Sequence, residues 1–264
     1  RFAYERCIIK EEAIRQGFPI MIASATQAGA TSPAALAGSV AQSTAEALAG
    51  IVYANAVEPG CPLTFAAWPF VADLRTGAMS GGSGEQGVLA AAVAQIACHL
   101  GIPASVPAGM TDSKLPDAQS GFEKGVNVAL AGHAGAAMIH ECVGMHASLM
   151  GCALESYVID NEMLGNIIRT IRGVEVSDSL LSYDTISAVN LGGEGHYLGA
   201  AQTLDLMQSE YIYPELSDRR SITEWEEDGA LSLVDRARIR TKEILKTQHP
   251  RHVPGQVDES LRQT

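Results

Sequence analysis

The sequence predicts an α/β fold of the TIM (β/α)8-barrel type, with the chain supplying roughly the second half of a barrel plus carboxyl-terminal helices. Three observations carry that expectation. Short apolar runs alternate with longer Ala-rich helical stretches. Each run exits into a long polar loop, and each helix returns through a short Gly or Pro turn, the asymmetry of a barrel that works at the carboxyl ends of its strands. The crossovers, of about 20 to 30 residues, suit right-handed βαβ units.

The elements follow in order. Residues 19–23 (PIMIA) form an apolar run of the kind a doubly covered parallel strand shows. Ser32 and Pro33 are a cap and first turn, and an Ala-rich helix runs from there to Ala56, stopped by Pro59 and Gly60. A second strand covers 63–68 (LTFAAW), followed by a Gly- and Ser-rich loop over 72–85. Ser83 caps a helix over 85–100 that Gly101 closes. Residues 103–106 form a weaker third strand, 107–117 a loop, and 118–131 a helix ended by Gly132. The fourth strand covers 137–142, with a Gly- and Met-rich exit over 143–153.

Beyond residue 153 the rhythm fades. Residues 155–172 read as one helix, 174–176 as a candidate short strand, and 183–213 as helical around a Gly-rich break. The expected division is 1–212 for the barrel units and closing helices, and 213–264 for a charged extension with a helix near 231–247 and a loose tail. Four clear βα units are half of what closure needs, and half a barrel would leave two sheet edges bare. The chain opens at Arg1 rather than Met. An amino-terminal half of roughly 200 residues, or failing that a second copy, is expected to complete the barrel.

Composition excludes several functions. With 18 Lys and Arg against 30 Asp and Glu, the net charge is −12, wrong for a phosphate-binding surface, so neither nucleic acid nor an anionic membrane is an expected partner. The basic cluster over 236–246 alternates with apolar residues like a solvated helix face. Five cysteines (Cys7, Cys61, Cys98, Cys142, Cys152) include no C-x-x-C pair, and an odd number suits no closed disulfide framework. Reduced thiols and a cytoplasmic setting are expected. No signal peptide is expected from the opening residues, and no uninterrupted apolar span is long enough for a membrane.

Six segments, in order, carry a resemblance: GATSPAALAG (29–38), DLRTGAMSGGSGE (73–85), TDSKLPDAQSG (111–121), LESYVIDNEM (154–163), GGEGHYLG (192–199) and ELSDRR (215–220). With TDSKLPDAQSG the most specific of them, the chain resembles the carboxyl-terminal part of the trimethylamine methyltransferase family. That resemblance implies a TIM barrel that moves a methyl group from an amine to the Co(I) corrinoid of a separate small protein. The founding branch carries pyrrolysine, which is absent here; its expected place is the loop over 107–114. Its absence points to the branch acting on quaternary amines such as glycine betaine. Relatives often carry His-Thr where this chain has Gln202 and Thr203.

Displacement from a quaternary ammonium releases a neutral tertiary amine, so no proton need move. The remaining tasks are orientation, exclusion of water and complementarity to the cation. Methylammonium groups favour aromatic faces and carboxylates. Trp68, Phe70, Asp73, Arg75 and Lys114 are therefore expected to bind substrate, the two cations taking a betaine carboxylate. His140, Glu141 and Asp112 are the expected catalytic residues. Gly192, Gly193, Gly195 and His196 are expected to approach the partner-borne corrinoid, with no corrinoid held tightly by this chain and no metal site.

Each has a plainer alternative. Trp68 would be barrel packing and His140 with Glu141 a satisfied buried pair. Asp73 and Arg75 would pair with each other, and Asp112 would be a turn or capping residue. Lys114 would be a surface charge and His196 the cap of a helix–helix turn. The chain is expected to form a homo-oligomer. The competing functions are a non-catalytic amine-binding subunit and a zinc-dependent barrel enzyme using His140, Cys142 and His146. The missing G-x-S-x-G elbow and Walker loop argue against hydrolase and nucleotide chemistry.

Overall fold

A computed structural model describes residues 3–249 and 252–263. Arg1, Phe2, Pro250, Arg251 and Thr264 lie outside the described residues, and with them parts of the expected first unit and loose tail.

A helix α1 (Tyr4–Arg15) precedes four parallel strands that follow one another in chain order. β1 (Ile20–Ala28) pairs with β2 (Leu63–Val71) over nine residues, from Ile20 opposite Leu63 to Ala28 opposite Val71. β3 (Ser105–Pro107) pairs with β4 (Met138–His140). A parallel bridge between Phe65 and Ala104 joins the two pairs, the Phe65 N–H donating to the Pro103 carbonyl at 2.9 Å. The crossovers are α2 (Leu36–Val57), α3 (Gly84–Leu100) and α4 (Ala118–His133). The architecture is α/β, and the described residues close no barrel.

The three crossover helices cover one face of the strands. Side chains alternate along a strand, and Ile22, Phe65, Val106 and Ile139 join Ala47, Val93, Ala94, Val128 and Ala131 of the helices in one core. The opposite face carries Met21, Ala23, Trp68, Met138 and His140, with Met21 41% and Met138 49% exposed. Parallel sheets are ordinarily covered on both faces, so this second face is the one on which a site can form.

The boundaries show what local reading missed. β1 continues five residues past Ala23 because its polar side chains find partners on α2: Ser24 donates to Glu46, and the Thr26 and Ser43 hydroxyls lie 2.5 Å apart. Ser32 does not cap α2, whose N-cap position is Ala35; its hydroxyl meets that of Ser39 at 2.7 Å. Ser83 does cap α3, accepting from the Gln86 N–H, and Gly101 closes it with φ +68°. The first turn of α4 is held by a capping box between Asp117 and Ser120. That helix runs through Gly132 to His133. β4 stops at His140 rather than Cys142, because Glu141 adopts φ +58° and leaves the ladder.

Past β4, β5 (Met145–His146) and β6 (Gly151–Cys152) form a short antiparallel hairpin. α5 (Leu154–Arg172) follows, then α6 (Tyr183–Asn190), α7 (Ala201–Leu206), α8 (Ile222–Glu227), α9 (Leu233–Thr247) and α10 (Gly255–Arg262). No strand forms over 174–176, where Val174 and Val176 are exposed. The tail expected to be loose carries α10. Among the described residues no helix is long and apolar enough to cross a membrane.

Candidate functional site

Three parallel strands bring their carboxyl ends together. Trp68 near the end of β2 and His140 at the end of β4 stand on the uncovered face with ring centroids 5.1 Å apart. The indole N–H of Trp68 donates to the Ser105 carbonyl of β3 at 2.8 Å, fixing the ring across the intervening strand. Phe70 sets its edge against Trp68 at 6.4 Å. These contacts leave an aromatic wall whose orientation is determined by backbone.

At the end of β4 two polar atoms lie without partners. His140 Nε2 and Glu141 Oε2 are both buried and accept or donate no hydrogen bond within the chain. Unpaired buried polar atoms are costly, and these two belong to consecutive residues at the strand end. Burial raises the Glu141 carboxyl above the usual carboxylate range. Its left-handed backbone is a conformation that non-glycine residues adopt only when the surroundings hold them there.

The loops around this end are tied by Asp112. Its Oδ2 accepts from Ser80 Oγ at 2.6 Å, and its Oδ1 accepts from the Gly81 N–H at 2.9 Å, the Gly82 N–H at 3.4 Å and Ser148 Oγ at 2.6 Å. One carboxylate thus joins the loops that follow β2, β3 and β4. Glu123 of α4 supports it from behind, accepting from the Asp112 N–H at 2.8 Å and from Thr111. The approach is close enough to require Gly82, where a Cβ would fall 2.3 Å from Glu123 Oε2. It also requires Gly109, whose φ is +92° and whose Cβ would meet Cys142 Cα at 2.6 Å.

The remaining expected residues are placed differently. Arg75 binds Asp73 in a fork, with Nε to Oδ1 at 3.1 Å and NH2 to Oδ2 at 2.8 Å. Asp73 is held down to about 2 by that guanidinium, so the pair satisfies itself. Lys114 is exposed and donates to the Asp112 carbonyl at 2.6 Å. Gly192, Gly193, Gly195 and His196 are exposed on the stretch between α6 and α7. Their recorded contacts are local: His196 faces Glu194 at 3.4 Å, and Gly193 packs against the Ala188 carbonyl. Gly192 and Gly195 have open space at their Cβ positions. The stretch is accessible to a second protein's surface, yet it forms no closed cradle.

Among the described residues, those of the zinc alternative are not assembled as a metal site. β4 ends before Cys142, so His140 and Cys142 do not share a strand face. His146 has both nitrogens engaged, Nδ1 with the Ser113 carbonyl at 3.2 Å and Nε2 with Ser156 Oγ at 2.6 Å. Among the described residues no group of three or more His, Cys, Asp or Glu side chains is arranged to hold a metal ion.

Sequence reasoning missed Ser80, Glu123 and Ser148, which complete the Asp112 network. Their partners lie 11 to 36 residues away in the chain, beyond any local signal. The Gly81–Gly82 pair was the one available hint that two loops meet closely.

Residues 2–264 match the family described as Trimethylamine methyltransferase (MTTB). The chain is 31% identical over 245 residues to the glycine betaine methyltransferase of Desulfitobacterium hafniense (strain Y51), covering 93% of this chain and 50% of that protein. It is 32% identical over 251 residues to the trimethylamine methyltransferase MttB of Methanosarcina thermophila, covering 95% and 51%. The chain spans about half the length of the curated relatives it matches.

Proposed function

The chain belongs to the trimethylamine methyltransferase family, and from that premise we propose that the whole protein moves a methyl group from a quaternary amine to the reduced corrinoid of a separate small protein. The observation that carries this reading is the strand-end wall of Trp68 and His140, 5.1 Å apart, beside the two orphaned polar atoms of His140 and Glu141. An aromatic face attracts a methylated ammonium within about 6 Å of its centroid. The half-buried carboxyl of Glu141, the residue after His140, is the proposed counter-charge.

In the displacement, the bond between nitrogen and the methyl carbon breaks and its electron pair stays on nitrogen. The leaving group is a neutral tertiary amine. A reduced corrinoid on the partner protein would supply the electron pair that takes the methyl carbon. No acid or base is needed, which fits a site with an unpaired His140 and no proton relay. The work of this chain is to hold the ammonium by Trp68 and Phe70, to aim one methyl outward and to keep water away. Burial raises the Glu141 carboxyl, and a bound cation would favour its charged form. Asp112 holds the loops, and Gly192, Gly195 and His196 are the exposed segment offered to the corrinoid partner.

The family also carries the finer reading of the fold. The uncovered strand face and the half-length coverage support a barrel completed by further strand–helix units from the rest of the protein. Residues 1–212 are then barrel and 213–264 an extension packed on α5. A cytoplasmic setting and a homo-oligomer belong to the same proposal.

The test uses full-length protein, its small corrinoid partner reduced to Co(I), and a panel of trimethylamine, glycine betaine and other quaternary amines. Loss of the Co(I) absorbance with at least one amine is the expected result. Amine binding by calorimetry with no methyl transfer to any corrinoid protein would instead identify a binding subunit.

A further inference from the structure

The LESYVIDNEM stretch at the start of α5 has no task in the chemistry above, yet it holds the loop that leaves β4. Asp160 and Lys124 form an ion pair, Nζ to Oδ2 at 2.7 Å, with the Lys124 side chain 1% and the Asp160 side chain 5% exposed. The same Oδ2 accepts the Gly144 N–H at 2.7 Å. Four residues earlier on the helix, Ser156 donates to His146 Nε2 at 2.6 Å, since the Ser113 carbonyl at 3.2 Å requires the ring proton on Nδ1. Burial and nearby Lys124 lower His146 below its ordinary range and keep the ring neutral.

On either side of these two pins, at Gly144 and His146, the backbone is strained. Glu141, Ala147 and Ser148 have φ of +58°, +48° and +60°, and these are three of the five non-glycine residues with positive φ among the described residues. Such conformations persist only where surrounding contacts over-determine them. A buried ion pair is poor evidence for stability, because desolvation offsets much of its attraction. What it does supply is a fixed acceptor for one buried amide.

We infer that Asp160, anchored by Lys124, is a positioning residue that clamps the Gly144 amide and so fixes the strained 141–148 loop presenting Glu141 at the strand end. The inference rests on the proposed methyl-transfer site for its functional half. Its structural half stands on the contacts alone.

Two double variants of the full-length protein separate the clamp from the charges. Lys124→Met with Asp160→Asn removes both charges and keeps an acceptor for Gly144. Lys124→Met with Asp160→Ala removes the acceptor as well. Backbone hydrogen exchange over 141–148 and the amine dependence of methyl transfer are read in both. The Asn pair should keep loop protection and KM close to the wild type. The Ala pair should exchange over 141–148 about tenfold faster, with α3 and α4 unchanged, and raise KM about tenfold, as a lost buried hydrogen bond would. Equal loop protection in the two pairs overturns the clamp. So does faster exchange spread over the whole molecule in both. A loosened loop with unchanged KM overturns its role at the site. If the wild type transfers no methyl from any amine, the methyl-transfer reading fails, and the exchange comparison alone decides the clamp.

Discussion

Trp68 sits where three strands meet, its N–H spent on the Ser105 carbonyl and its face left to the uncovered side. A methylammonium on that face gains roughly 1–2 kcal/mol when desolvated. Trp68→Ala should therefore raise the amine KM about five- to thirtyfold. Trp68→Phe, which keeps a ring but loses the hydrogen bond, should fall between it and the wild type. Steady-state methyl transfer at varied amine concentration measures both. Glu141 gives a pH signature at the same scale. Its folded-state value lies above the ordinary one, so its neutral form favours the fold at low pH, and that contribution is lost as pH rises through the raised value. A bound cation favours the charged carboxylate. Amine binding should then release a proton, and affinity should increase with pH across the same window. Calorimetry in buffers of different ionisation enthalpy should detect the proton, and Glu141→Gln should remove it.

At the scale of elements, the loops after β2, β3 and β4 act as one unit through the Asp112 carboxylate and its four donors. Asp112→Ala leaves those donors unpaired and should destabilise the protein by roughly 2–3 kcal/mol, measured by urea unfolding, while Asp112→Asn should cost less. Some elements were legible from sequence because their signals are local: Ser83 and Gly101 bracket α3 through the hydrogen bond and backbone angle those residue types provide. The placement of Trp68 and His140 near strand ends was legible because each closes a short apolar run. Other features were illegible for physical reasons. β1 outruns its apolar stretch because α2 satisfies Ser24 and Thr26. β4 falls short because Glu141 turns out of the ladder with a left-handed φ of +58°, which its residue type does not signal. The Asp73–Arg75 fork, two residues apart, was visible as an alternative; the union of Asp112 with Ser148, 36 residues apart, was not.

Over the whole molecule, four parallel strands in sequential order with helices on one face leave the opposite face bare at its edges, where Met21 and Met138 are exposed, while Ala66 and Ser105 between them are buried. That bareness agrees with a chain spanning about half the length of its relatives. The proposed barrel would cover the bare face and enclose the Trp68–His140 wall, turning an exposed surface into a dry pocket where aromatic and electrostatic contacts with a cation strengthen. A structure of the full-length protein with bound tetramethylammonium tests this most directly. The account predicts the cation within about 6 Å of the Trp68 ring centroid, enclosed by the completed barrel and bordered by His140 and Glu141. A cation bound elsewhere, with the Trp68 face open to solvent in the full-length protein, would contradict it.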